Sequence, residues 1–77
     1  MDVTEIKNKI DYTNFITNCS DAVLSIFAND VRCCLITGYF PENSVCLQII
    51  NNCSDILTLD ICIPVAFEFL RRSSLPF

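Results

Sequence analysis

Cysteine is the residue type in this chain with the widest choice of chemistry. Thiols can form disulfides, bind zinc or act as nucleophiles, and there are six of them: Cys19, Cys33, Cys34, Cys46, Cys53 and Cys62. Structural zinc sites pair their ligands as C-x2-C, often with histidine, and the sequence has neither that spacing nor any histidine. A cysteine nucleophile also needs an adjacent base, and the only lysines are Lys7 and Lys9. We therefore expect no metal, no cofactor, no small-molecule substrate and no enzyme activity.

The number of cysteines leaves a structural alternative open. An even number in a short secreted chain is typical of a disulfide framework, so a disulfide-stapled secreted factor is one hypothesis. Charged residues near the N-terminus, among them Glu5 and Lys7, argue against the apolar run of a signal peptide. The stretches around Cys34 and Cys62 are also apolar, and a free cysteine behaves as a small, buried hydrophobe. We predict reduced core thiols in an intracellular protein of the cytoplasm or nucleus.

Size and composition limit the class of protein. The chain has 77 residues, which is enough for one domain. Hydrophobic residues make up 52% and charged residues 18%, against about 25% charged in an average domain. The net charge of −4 does not suit binding to nucleic acid or to an anionic membrane surface. So few charges predict apolar surface left over after folding, and therefore a protein partner or self-association.

The first half of the chain has helical patterns. Asp2 followed by Glu5 is typical of a capping box and predicts a helix over 3–17. Ser20-Asp21 predicts a second helix start, and Asn29-Asp30 then predicts its end. Residues 31–40 fit a short helix ending at Gly38, with a strand as the alternative.

The second half contains the most ambiguous segment. Pro41 is typical of a first helical turn and predicts a helix through Asn52. Apolar residues alternate over 56–63, which favours a strand, and Pro64 favours a break before a last helix over 65–72. We predict an all-α bundle of four to five short helices over 1–72 with a flexible tail over 73–77. An α+β fold with a short strand near 56–63 is the alternative.

A short motif occurs twice, 34 residues apart. Asn18-Cys19-Ser20-Asp21 returns as Asn52-Cys53-Ser54-Asp55. A period of 34 residues is the length of a helical hairpin. The repeat predicts two similar hairpins packed face to face, and two coincident capping signals explain it equally well.

A family resemblance covers residues 45–77. Its residues are Cys46, Ile50-Asn51, Cys53, Ile61-Cys62-Ile63-Pro64 and Phe69-Leu70. This segment resembles the suppressor-of-cytokine-signalling box, which implies an adaptor that recruits elongin B/C and a cullin ubiquitin ligase. The chain departs from the family pattern in two places, because the Ser/Ala-Leu opening is missing and the Leu-Pro-Leu-Pro turn reads Ile-Cys-Ile-Pro.

The leading hypothesis is a small non-enzymatic protein–protein interaction module. It self-associates or binds a protein partner through an apolar helical face. The composition, rich in isoleucine and asparagine, is typical of an AT-rich genome such as that of a virus or parasite, so a viral factor acting on host proteins is part of this hypothesis. The predicted partner-binding residues are Val45, Ile49, Ile50, Pro64 and Phe77.

Overall fold

Four α-helices form the fold of the described part of the chain. The computed structural model describes residues 3–73. A single 3-10 turn, Val3–Glu5, is followed by α1 (Lys9–Asn18), α2 (Asp21–Thr37), α3 (Val45–Asn52) and α4 (Thr58–Ser73). Within residues 3–73 no residue is in a strand. The prediction of an all-α bundle is therefore confirmed, and the alternative with a strand near 56–63 is wrong.

Side-chain caps define where three of the helices begin. The side chains of Asn8, Ser20 and Ser44 each accept a hydrogen bond from a backbone N–H in the first turn of α1, α2 and α3. These bonds satisfy donors that have no partner within the helix. Gly38 ends α2 in the left-handed conformation, with φ of 88°, and its N–H donates to the carbonyl of Cys34. The prediction of a glycine stop at this position is confirmed.

Several predicted boundaries are wrong because capping residues occur in the sequence at positions where no helix ends. The first α-helix begins at Lys9 rather than residue 3, since Ile6 is drawn into the core. α2 runs unbroken through Asn29-Asp30, because the Asp30 carboxylate accepts a hydrogen bond from the Ser44 hydroxyl at 2.7 Å instead of capping a helix. α3 begins at Val45 rather than Pro41.

The largest correction concerns α4, which continues through Pro64 without a break. Its buried residues include Ile61, Val65 and Glu68, spaced i, i+4 and i+7 as on one face of a helix. The Asp60 carboxylate accepts from the backbone N–H of Leu57 at 2.9 Å, which is the returning half of a capping box. Capping and core packing together outweigh the hydrogen bond that proline cannot make.

α4 lies against both α1 and α2. The Tyr12 hydroxyl of α1 donates to the carbonyl of Ile61 at 2.8 Å, and Arg72 reaches the carbonyl of Cys19 just after α1. α1 and α4 therefore run in the same direction. Arg72 also pairs with Asp21 at the start of α2 at 2.9 Å, so α2 runs antiparallel to α4.

The order of the helices repeats as predicted, whereas the helices pack mainly across the two halves rather than as two separate hairpins. Each half contains a short helix and then a long one, and the short helices end at Cys19 and Cys53. Packing of α4 on α1 and α2, and of α3 on α2 and the first turn, joins the two halves. The core they enclose consists of Ile6, Tyr12, Ile16, Leu24, Phe27, Val31, Cys34, Phe40, Cys46, Ile49, Cys53, Ile56, Ile61, Cys62 and Val65.

The last helix, α4, ends at Ser73. Residues 74–77 lie outside the described part of the chain, so the predicted domain boundary at residue 72 stays a prediction.

Candidate interaction surface

Four of the six cysteines pack as residues of the core. All six carry unpaired thiols, and Cys34, Cys46, Cys53 and Cys62 are buried. Burial raises the pKa of Cys46 to about 12. Burial also raises the pKa of Cys62, and the nearby Cys34 thiol raises it further. Thiols held in this protonated form are poor nucleophiles and poor ligands. Among residues 3–73, no group of three or more potential ligands is arranged to hold a metal ion.

Cys33 and Cys19 correct the prediction that every cysteine belongs to the core. Cys33 is exposed and Cys19 is half-buried. Adjacent residues on a helix point about 100° apart, so Cys34 faces the core of the bundle while Cys33 faces solvent. Cys19 sits at the end of α1, and its thiol donates to the carbonyl of Ile16 at 3.3 Å.

Charged side chains cluster at the C-terminal end of α4. The buried Glu68 carboxylate accepts hydrogen bonds from the Nε of Arg71 at 3.0 Å and from the Nε of Arg72 at 2.6 Å. The hydrogen bonds from Arg71 and Arg72 lower the pKa of Glu68 to about 2. Arg72 also donates to the carbonyls of Thr17 and Cys19. This network fixes the end of α1 against α4, so its evident role is structural.

The most unusual surface of the molecule is the side of α4 opposite the core. Leu59, Ile63, Phe67 and Leu70 have 63%, 49%, 68% and 64% of their surface exposed. Their spacing of four, four and three residues places them in one stripe along the helix. We call these four residues the outer face of α4. Exposed Ala66 lies beside the stripe, and no charged residue belongs to it.

α4 is therefore apolar on two opposite sides. Ile61, Cys62 and Val65 fill the core, while the outer face carries larger side chains toward solvent. A surface helix normally has its apolar residues on the side that faces the core and polar residues on the opposite side, and α4 departs from this pattern. Leu57 before the helix and Phe69 on the side toward α2 are also 71% and 44% exposed, but they do not belong to the outer face.

A second, smaller apolar group lies near the end of α2. Leu35, Ile36 and Tyr39 are 68%, 76% and 78% exposed. Leu35 and Ile36 belong to the last turn of the helix, and Tyr39 follows Gly38 in the connection to α3. The group is shorter than the outer face of α4, which extends over three turns.

Four of the five residues predicted to bind a partner lie in the described part of the chain, three on α3 and one on α4. Ile49 is 1% exposed and packs in the core, where it has no surface to offer. Val45 and Ile50 on α3 are half-buried against that core, and Pro64 is half-buried on α4. Phe77 lies outside the described residues. The sequence reasoning missed all four residues of the outer face, although their i, i+4, i+8, i+11 spacing was a signal that could have identified them.

Comparison with known proteins gives no relative. No protein-family model, no curated protein and no solved structure matches the chain significantly. Along residues 3–73, no helix has both the length and the apolar character needed to cross a membrane. The outer face of α4 is thus interpreted from its own geometry.

Proposed function

We propose that this chain is a small non-enzymatic protein–protein interaction module that binds protein through the outer face of α4. The observation that carries the proposal is the uncharged stripe of four exposed large side chains opposite the core. Contiguous apolar patches of several hundred Å² on a folded domain are typical of interaction sites. Among residues 3–73, six of the eleven exposed large hydrophobic side chains lie between Leu57 and Leu70, so the apolar surface is concentrated there rather than scattered.

The thiols support a site of action in a reducing compartment, the cytoplasm or nucleus. Six unpaired cysteines, one of them exposed, persist where glutathione and thioredoxin keep thiols reduced. A viral factor acting on host proteins remains a hypothesis about source that rests on composition alone. The net charge of −4 supports a protein rather than nucleic acid as the partner.

The adaptor function implied by the resemblance to the suppressor-of-cytokine-signalling box stays a prediction. Several residues that carry the resemblance, including Cys46, Cys53, Ile61 and Cys62, are buried in the core. Core packing is sufficient to account for their identity, and the structure offers no specific observation in favour of elongin B/C binding. Binding of the chain to purified elongin B/C would be the direct measurement.

Photo-crosslinking tests the proposed surface directly. We would place benzoylphenylalanine at Phe67 and, as a matched control, at Ile26, an apolar residue of α2 that is 56% exposed. In the cells that express the chain, irradiation is expected to give discrete protein adducts from position 67 and few from position 26. Equal adduct yields at the two positions would show that the outer face of α4 is not a preferred binding surface.

A further inference from the structure

We infer that the partner of the outer face of α4 is a second copy of this chain, packed with the two α4 helices antiparallel about a two-fold axis. The inference rests on the proposed function, because it uses the same surface. It adds the identity of the occupant and the register of the contact. Three features of α4 support it: the symmetry of the stripe, the position of the charges beside it and the area available.

The stripe matches itself when one helix is reversed. Leucines stand at its two ends, as Leu59 and Leu70, and Ile63 and Phe67 stand between them. An antiparallel copy centred near Val65 sets Ile63 against the second copy's Phe67, and Leu59 against its Leu70. Exposed Ala66 lies next to that centre, and a small residue at the crossing point lets two helices approach to about 8 Å. A two-fold arrangement of this kind is self-complementary, and it closes as a dimer.

The charges beside the stripe favour the antiparallel direction. Asp60 and Arg71 lie on the same flank of α4, eleven residues apart and hence about 16 Å along the axis. Their side chains are 27% and 59% exposed. Reversing one helix brings Asp60 of each copy beside Arg71 of the other, in addition to the pairs that each residue makes within its own chain. A parallel two-fold arrangement would instead place these flanks on opposite edges of the contact, where Asp60 and Arg71 of the two copies could not pair.

The exposed area is in the range of a small reversible dimer. The four residues of the outer face expose about 450 Å² per copy, and a standard interface buries about 800 Å² per partner. The available area is therefore about half that of a standard interface. This predicts a dimer that dissociates on dilution rather than a permanent one.

Sedimentation velocity over a range of concentrations tests self-association on the purified full chain. We expect a concentration-dependent shift from monomer to dimer. Phe67→Asp should weaken the dimer at least about a hundredfold, because the two-fold axis removes the aromatic contact twice and introduces two carboxylates. Ile26→Asp is the matched control, and it should leave the dimer unchanged. Circular dichroism and a thermal melt establish that both variants fold, which is expected because both sites are exposed.

Crosslink mapping tests the register and separates the two proposals. A mixture of ¹⁴N- and ¹⁵N-labelled chain carrying benzoylphenylalanine at position 67 should give mixed adducts that map to residues 59–63 of the other copy. Adducts mapping to residues 66–70 would overturn the antiparallel register. A purified chain that stays monomeric, together with adducts from position 67 to other proteins in cells, would overturn the second copy as partner and leave the proposed function standing. A monomer without cellular adducts would overturn both.

Discussion

The rates at which the six thiols are alkylated give the sharpest test of this packing. At pH 8, exposed Cys33 should react with iodoacetamide as fast as a small thiol, and half-buried Cys19 should follow. The four buried thiols should be protected for as long as the chain stays folded, namely Cys34, Cys46, Cys53 and Cys62. The order of the alkylation rates depends on which face of each helix packs against the core. The assay therefore tests the rotation of each helix about its own axis.

The size of the protection can be worked out for Cys46. Its pKa of about 12 leaves roughly one thiolate in ten thousand at pH 8, against about a tenth at the ordinary pKa of 9.0. Its side chain is also fully buried, so the reagent must wait for the chain to open. A small core that supplies about 3–5 kcal/mol keeps the open form below roughly one in a hundred. We expect Cys46 to react at least about a hundredfold more slowly than Cys33.

Peptide mass spectrometry on samples quenched at successive times gives each rate separately. Cys33→Ser is the control, because it should remove the fast phase and leave the other five rates unchanged. If Cys46 reacts as fast as Cys33, the core described here is wrong. In denaturant all six thiols should react, and a lower count would mean that the chain is a disulfide-stapled protein instead.

Three further predictions concern stability, each measured by urea unfolding. Tyr12→Phe should cost about 1 kcal/mol, because it removes the buried hydrogen bond to the carbonyl of Ile61. In the wild type, the pKa of Glu68 is about 2 in the folded chain and near 4.3 in the unfolded chain. Its carboxylate therefore stabilises the fold fully above about pH 4.3, and this stabilisation is lost as the pH falls toward 2. Glu68→Gln should make the free energy of unfolding less dependent on pH between about 4.3 and 2. A variant as acid-sensitive as the wild type would contradict that role. Pro64→Ala should raise stability by about 1–2 kcal/mol, since it restores a helical N–H inside α4, and any loss would show that the proline ring contributes more by packing.

The start or end of a helix could be predicted where the backbone conformation or the cap at that position favours one residue type. Gly38 could be identified as the end of α2, because a left-handed residue is needed there and glycine adopts it without strain. Ser20 was equally clear as a start. Asn29-Asp30 led to the wrong prediction that α2 ends there, because the same residue types cap helices and make tertiary hydrogen bonds. Only the fold brings Asp30 close to Ser44. Long-range partners of this kind cannot be read from local sequence.

The thiols show how far composition alone can go. The absence of histidine and of C-x2-C spacing led correctly to unpaired cysteines, four of which are buried. Composition did not distinguish Cys33 from Cys34, because that choice depends on the rotation of α2 about its axis. In the same way, Ile49 was predicted to meet a partner, and the rotation of α3 turns it into the core at 1% exposure.

The segment that was hardest to interpret from the sequence is the one that carries the proposed surface. Alternating apolar residues over 56–63 favoured a strand as the alternative, since alternation places one set of side chains on one side of a sheet. On a helix, each step of two residues turns by about 200°, so the same alternation distributes apolar side chains between opposite sides. Ile61 thus faces the core while Leu59 and Ile63 face outward. The same alternation therefore fits a helix with apolar side chains on two opposite sides.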